Sequence, residues 1–383
     1  MGLMRINAFS LGFAALACLL AGPTWAGITY EMVTVGNPGN AVDRWDSHGR
    51  VDYEYQIGKY DVTIGQYTAF LNAVAATDAY SLYKSSMSTD GNIAGIQQNG
   101  SDGGYTYNVI NNGGDSSNRP ITYVSWLDAA RFSNWMANGQ PVGAQDSTTT
   151  EDGTYSINGA MDPYTVGKNL INPNTNAAPK FYIPTEDEWY KAAYYSPNHG
   201  GVGTPGYYAY ATQSDTDPGN IVGSTADQAN YRSGGVPSVG VYVGGVYSVT
   251  QSATYDPNQN YLTDVGAFTN SSSFYGTFDQ SGNVLQWTDQ NGNDTSGWRT
   301  FRGGSWKWND PAYLSANSYA GGYANFAANI VGIRLASPLS SITPDSVPEI
   351  DPATGSSALS LLGGLLAMIE QRRRHGIAAD LSS

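Results

Sequence analysis

The chain has 383 residues, 18 Lys plus Arg against 32 Asp plus Glu, a net charge of −14, 46 glycines and 28 tyrosines. That length holds one large domain or two ordinary ones. The acidic balance excludes a nucleic-acid partner, because phosphate binding needs clustered Lys and Arg.

The first 26 residues read as a secretory signal. Arg5 is the charged end, Phe9 to Leu20 the apolar run, and Thr24-Trp25-Ala26 the cleavage site before Gly27. Cys18, the only cysteine, lies inside that run. A lipoprotein reading would lipidate it, but the run continues past it, so cleavage after Ala26 is expected. The mature chain then has no cysteine, hence no disulfide, thiolate metal site or cysteine nucleophile.

Residues 27–336 read as one folded domain with no internal repeat. Tyr55 to Val62 alternates as a strand. Thr63 with Gln66 forms a capping box opening a helix whose apolar face is Tyr67, Phe70, Leu71 and Val74. Ser125 caps a second helix with Trp126, Ala129, Ala130 and Trp135 facing inward and Gly139 ending it. Thr185 and Glu188 form another box at the start of a third. From Ser196 the chain turns to Gly, Asn, Ser and Tyr with short β-like runs such as VGVYVGGVYSV. The expectation is an α+β domain with few short helices, short strands and much irregular loop.

Residues 337–347 are rich in Ser and Pro, as linkers are. Residues 348–383 carry the PEP-like stretch VPEIDP (from Val347), an apolar run from Ala358 to Ile369 and three arginines, Arg372 to Arg374. That run falls short of the ~20 residues of a spanning helix, and the arginines would hold its end in the cytoplasm. The segment resembles the PEP-CTERM sorting tail of Gram-negative exosortase substrates. The resemblance implies exosortase-type sorting machinery as partner, transient membrane anchoring, and a cell-surface or extracellular-matrix location. A plain C-terminal anchor is the alternative.

IGKYDVTIGQYTAFLN, RPITYVSWLDAARFSNWM, IPTEDEW, GNVLQW, RGGSW and GIRLA occur in this order over residues 30–336. Together they resemble the formylglycine-generating enzyme (sulfatase-modifying factor) family. The fold so implied is a complex variant of the C-type lectin fold. Active members hold copper(I) through two cysteines after RGGS and use O₂ to oxidise a sulfatase cysteine to formylglycine. The matching positions here are Trp308 and Tyr313. Neither supplies the soft thiolate that copper(I) requires, and Ser305 alone has neither base nor metal. A branch of the family works at a histidine-bound non-haem iron. Here His48 and His199, read as loop surface, cannot supply that set, and His375 lies in the tail. Neither copper nor iron is therefore expected.

The resemblance also implies structural calcium. Carried over by position, the ligands are Asp279, the carbonyls of Gly282 and Val284, and Gln286 in place of a glutamate. A second set is Asn230, the carbonyl of Tyr231, and Asp256. Calcium prefers such hard oxygen donors; a tight turn packing Trp287 inward is the alternative. Around Ser305, Trp308, Asn309 and Tyr313, flat aromatics beside amides suit a polar ligand such as a glycan or peptide. Trp306 is expected in the core on the face shared with Trp308. The leading expectation is an exported, non-catalytic binding or structural module. Its rival is a metal- and O₂-dependent modifying enzyme with other ligands.

Overall fold

The computed structural model describes residues 27–161, 166–238, 241–289 and 297–339. The expected signal (1–26), the sorting tail (348–383) and the linker beyond Leu339 lie outside the described residues.

In chain order the elements are β1 (Met32–Val35), β2 (Tyr55–Gly58), α1 (Ile64–Val74), the one-turn α2 (Ser86–Thr89), β3 (Ile96–Asn99) and β4 (Thr106–Val109). Then come α3 (Trp126–Ala137), β5 (Tyr155–Ser156), β6 (Gly167–Lys168), α4 (Glu186–Tyr194), β7 (Tyr195–Ser196), β8 (Gly206–Tyr207), β9 (Arg232–Ser238) and β10 (Val241–Tyr247). The last are β11 (Leu285–Trp287), β12 (Trp298–Arg302), a 3₁₀ turn (Pro311–Leu314), β13 (Ala320–Tyr323), β14 (Val331–Gly332) and β15 (Ala336–Pro338). One sheet runs β1-β2-β15 and a second β13-β12-β11-β14; the other strands form two-stranded hairpins. Short helices, short strands and long irregular connections make this the expected α+β architecture.

The helix starts follow from their caps. Thr63 Oγ1 accepts from Gln66 N at 3.2 Å, and Gln66 Oε1 accepts from Thr63 N at 2.9 Å. Ser125 with Asp128 and Thr185 with Glu188 do the same at α3 and α4. Each box satisfies backbone donors that a helix start leaves orphaned. Every residue of α3 is buried, more than its apolar stripe predicts. Its one arginine, Arg131, is neutralised through a two-pronged ion pair with Glu151 at 2.7 and 3.0 Å. Phe70 of α1 meets Phe132 and Trp135 of α3 at ring distances of 5.3 and 5.2 Å. Buried side chains of this size each contribute about 1.5–3 kcal/mol, so the α1–α3 seam anchors this half of the core.

Two boundaries differ from the sequence expectation. The strand at Tyr55 ends at Gly58, because Gly58 O accepts from Arg334 at 2.6 Å and Lys59 N turns to Glu31 O. Ser337 and Pro338, expected in the linker, belong to β15 and pair with Gln56 and Tyr55. After Arg302 the chain turns away, Gly303 and Gly304 taking φ of +103° and +71°.

Candidate functional site

β12 delivers Arg302 to the interior, and the two glycines after it make the site. A Cβ at Gly304 would lie 2.9 Å from Leu314 Cδ1 and 3.0 Å from the carbonyl oxygen of Tyr313. Only glycine combines that closeness with a left-handed backbone. The loop leaving Gly304 is thereby pressed against the 3₁₀ turn, whose start is capped by Asp310 Oδ1 accepting from Ala312 N at 2.9 Å.

Trp306 is buried, as expected, and lies flat on Tyr261 with ring centres 5.1 Å apart and planes 7° from parallel. Trp308 does not share that cluster. It is half-buried against the edge of the main core and meets the Tyr313 ring edge-on, with centres 4.1 Å apart. Tyr313 is 45% exposed, so the pair forms a surface ledge rather than core. Asn309 is half-buried beside it. Ser305 is fully buried, and its hydroxyl finds no hydrogen-bond partner among the described residues. The structure therefore brings Trp308 and Tyr313 together, with Ser305 beneath the same loop. Indole and phenol supply no soft donor, so copper(I) does not fit here.

At the first set of expected calcium ligands, Asp279 and Gln286 are hydrogen-bonded to other residues. Gln286 Oε1 accepts from Trp189 Nε1 at 2.7 Å and from Arg334 Nε at 2.8 Å, while its Nε2 donates to Asp279 O at 2.9 Å. Arg334 also donates to the carbonyls of Gly58 and Phe278 at 2.6 and 2.5 Å and to Asp61 Oδ1 at 3.2 Å. The positive group gathering oxygens here is thus a guanidinium, whose planar fork suits such acceptors. Asp279 Oδ2 accepts from Gly266 N at 2.7 Å, and burial pushes its carboxyl up to about 6. Gly282 and Val284 belong to the turn that carries Trp287 inward, where Trp287 Nε1 reaches Val124 O at 3.0 Å.

The residues of the second set also have other partners. Asn230 Nδ2 donates to Asn283 Oδ1 and Tyr261 O, and the Tyr231 carbonyl accepts from Asn220 Nδ2 at 3.0 Å. Asp256 instead shapes its own turn, Oδ1 accepting from Asn258 N at 2.8 Å. Among the described residues no group of three or more His, Cys, Asp or Glu side chains is placed to hold a metal.

Sequence reasoning missed a charged cluster beside the loop. Arg302, fully buried, pairs with Asp46 and Glu186, each at 2.7 Å. His48, read as loop surface, lies against both acids, with Nδ1 3.3 Å from Asp46 and Nε2 3.8 Å from Glu186. Its hydrogen bond to Asp46 raises its pKa. The signal available was Glu186 in the first turn of α4; nothing local linked it to Arg302. A cavity of 690 Å³ lies elsewhere, lined by Tyr30, Glu31, Asp61, Thr63, Asn118 and Asp264 among others, and includes none of the expected site residues.

A family model described as "Sulfatase-modifying factor enzyme 1-like domain" matches residues 31–339. No curated protein matches. Among solved structures, Treponema denticola variable protein 1 is 17% identical with a TM-score of 0.44, over 82% of this chain and 97% of that one. A crystal structure of CarF is 20% identical with a TM-score of 0.42, over 81% and 99%. PvdO from Pseudomonas aeruginosa is 14% identical with a TM-score of 0.38, over 81% and 92%.

Proposed function

The chain belongs to the family of the Sulfatase-modifying factor enzyme 1-like domain, and from that premise we propose that it is an exported, surface-associated binding or structural module without oxidase chemistry. One observation supports this reading: Trp308 and Tyr313, which the resemblance matches to the family's copper cysteines, meet edge-on with ring centres 4.1 Å apart. No other residue can supply the thiolates, since the only cysteine is Cys18. What remains is a half-exposed aromatic ledge over the buried Ser305 hydroxyl, flanked by Asn309. Such a surface has flat apolar faces for stacking and polar groups for orientation, the usual make-up of a site for a glycan or peptide.

Export rests on the signal-like first 26 residues and on the resemblance of residues 348–383 to an exosortase sorting tail. Function on this scaffold then resides in the loop rather than in the fold. The test is binding of the labelled protein to printed peptide and glycan arrays, with Trp308→Ala and Tyr313→Ala alongside. The reading expects a ligand class whose retention falls at least tenfold in both variants. Retention that is unchanged in both would remove the ledge from the function.

A further inference from the structure

A second recess lies between the loop 41–45 and the β7–β8 hairpin, with a volume of 390 Å³. That is within the ~300–1,000 Å³ of small-molecule sites. It shares no residue with the Trp308 ledge. Its lining includes Asp43, Arg44, Trp45, His199, Pro205 and Tyr207. Trp45 is 76% exposed. The loop that presents it is held firmly. Asn40 Nδ2 donates to Tyr207 OH at 2.6 Å, Tyr207 OH donates to Ala41 O at 2.7 Å, and Trp45 N donates to Asp43 Oδ1 at 3.0 Å. Asp43 is in turn fixed by Tyr190 OH at 2.7 Å.

The opposite wall is equally built. His199 Nε2 lies 3.0 Å from Asp215 Oδ2, and its ring stands edge-on to Tyr208 at 4.7 Å. A Cβ at position 206 would lie 2.7 Å from His199 Nδ1, so Gly206 is what lets the imidazole lie over the hairpin. With Asp215 accepting from Nε2, Nδ1 is left as an acceptor. Arg44 places its guanidinium over Trp45 at 4.7 Å and, among the described residues, has no carboxylate within ion-pair distance. The recess thus offers a flat indole, an oriented imidazole acceptor and guanidinium donors around one small volume.

We infer that this recess is a carbohydrate-binding site in which a pyranose ring packs its C–H face on Trp45 while its hydroxyls donate to His199 Nδ1 and accept from Arg44. A sugar ring combines an apolar face with donors and acceptors around its rim, which is the complement of this lining. A purely apolar partner would leave the imidazole and guanidinium unmatched.

The test is a glycan array, carrying neutral and uronic-acid oligosaccharides, probed with the full-length labelled protein and followed by titration of the best-retained oligosaccharide. Trp45→Ala, at a largely exposed position, should weaken binding at least tenfold, His199→Ala should weaken it about fivefold, and Trp45→Phe should restore most of it. Absence of any retained oligosaccharide, or binding indifferent to Trp45→Ala, overturns the inference. Binding lost only in Trp308→Ala and Tyr313→Ala also overturns it, while supporting the ledge as the ligand site.

Discussion

Replacing Gln286 by Leu removes one side chain that holds three buried groups, with little change in volume. Trp189 Nε1 and Arg334 Nε lose their acceptor, and Asp279 O loses its donor. A stranded neutral donor costs about 1–3 kcal/mol, and a lost bond to a charged group about 1.5–3 kcal/mol. Arg334 keeps its bonds to Gly58, Phe278 and Asp61, which limits the damage. The expected loss is roughly 3–6 kcal/mol, a large part of the ~5–15 kcal/mol that holds a domain folded. Gln286→Glu keeps an acceptor for both donors but turns a carboxylate oxygen toward Asp279 O where the amide donated, so its loss should be smaller than that of Leu but not negligible. Urea unfolding of both variants, each with EDTA and with millimolar calcium, measures the difference. If Leu costs under 1 kcal/mol, or if Glu makes stability depend on calcium, the assignment of Arg334 as the cation of this turn is refuted.

Asp279→Asn should stabilise the protein at neutral pH. A buried acid whose folded pKa is raised to about 6 favours folding below its ordinary range near 4 and loses that contribution as pH rises through 6. The wild-type minus variant difference should therefore fall between pH 4 and 6, read from urea midpoints. Asparagine keeps an acceptor for Gly266 N and tolerates the φ of +60° at this position. Lys191 donates to the carbonyls of Asn37 and Val51 inside the protein, and burial lowers its pKa to about 8. The unfolded chain then binds more protons between pH 8 and 10.5, so wild-type stability should rise with pH there relative to Lys191→Met. Gly304→Ala should lower stability by about 1–2 kcal/mol for the left-handed backbone alone, with more from the contacts with Leu314 and Tyr313, and should shift the melting temperature accordingly.

Three of the four helices were legible because their signals are local: Thr63 with Gln66, Ser125, and Thr185 with Glu188 each lie within one turn of the start they cap, whereas α2 (Ser86–Thr89) has no side-chain cap and was not expected. Trp306 was legible as core, and the Trp308–Tyr313 pair was marked by the residues around it. What stayed hidden is long-range. Arg334 and Gln286 are 48 residues apart, and Arg302 and Asp46 are 256 apart. No periodicity links such partners. The bond from Arg334 to Gln286 could not be read from GNVLQW alone, since the arginine sits in GIRLA. Nor could the bend after Arg302, because adjacent glycines permit a left-handed turn without requiring it. His48 and His199 looked isolated along the chain and are packed against acids from other segments.

On the proposed reading, Trp308 and Tyr313 leave the family's oxidative chemistry without its metal ligands. The most direct measurement incubates the protein with copper, reductant, O₂ and a sulfatase-motif peptide, and weighs the peptide by mass spectrometry. The account predicts that the peptide cysteine keeps its mass at the level of a no-protein control. Conversion of that cysteine to formylglycine above the control would contradict it.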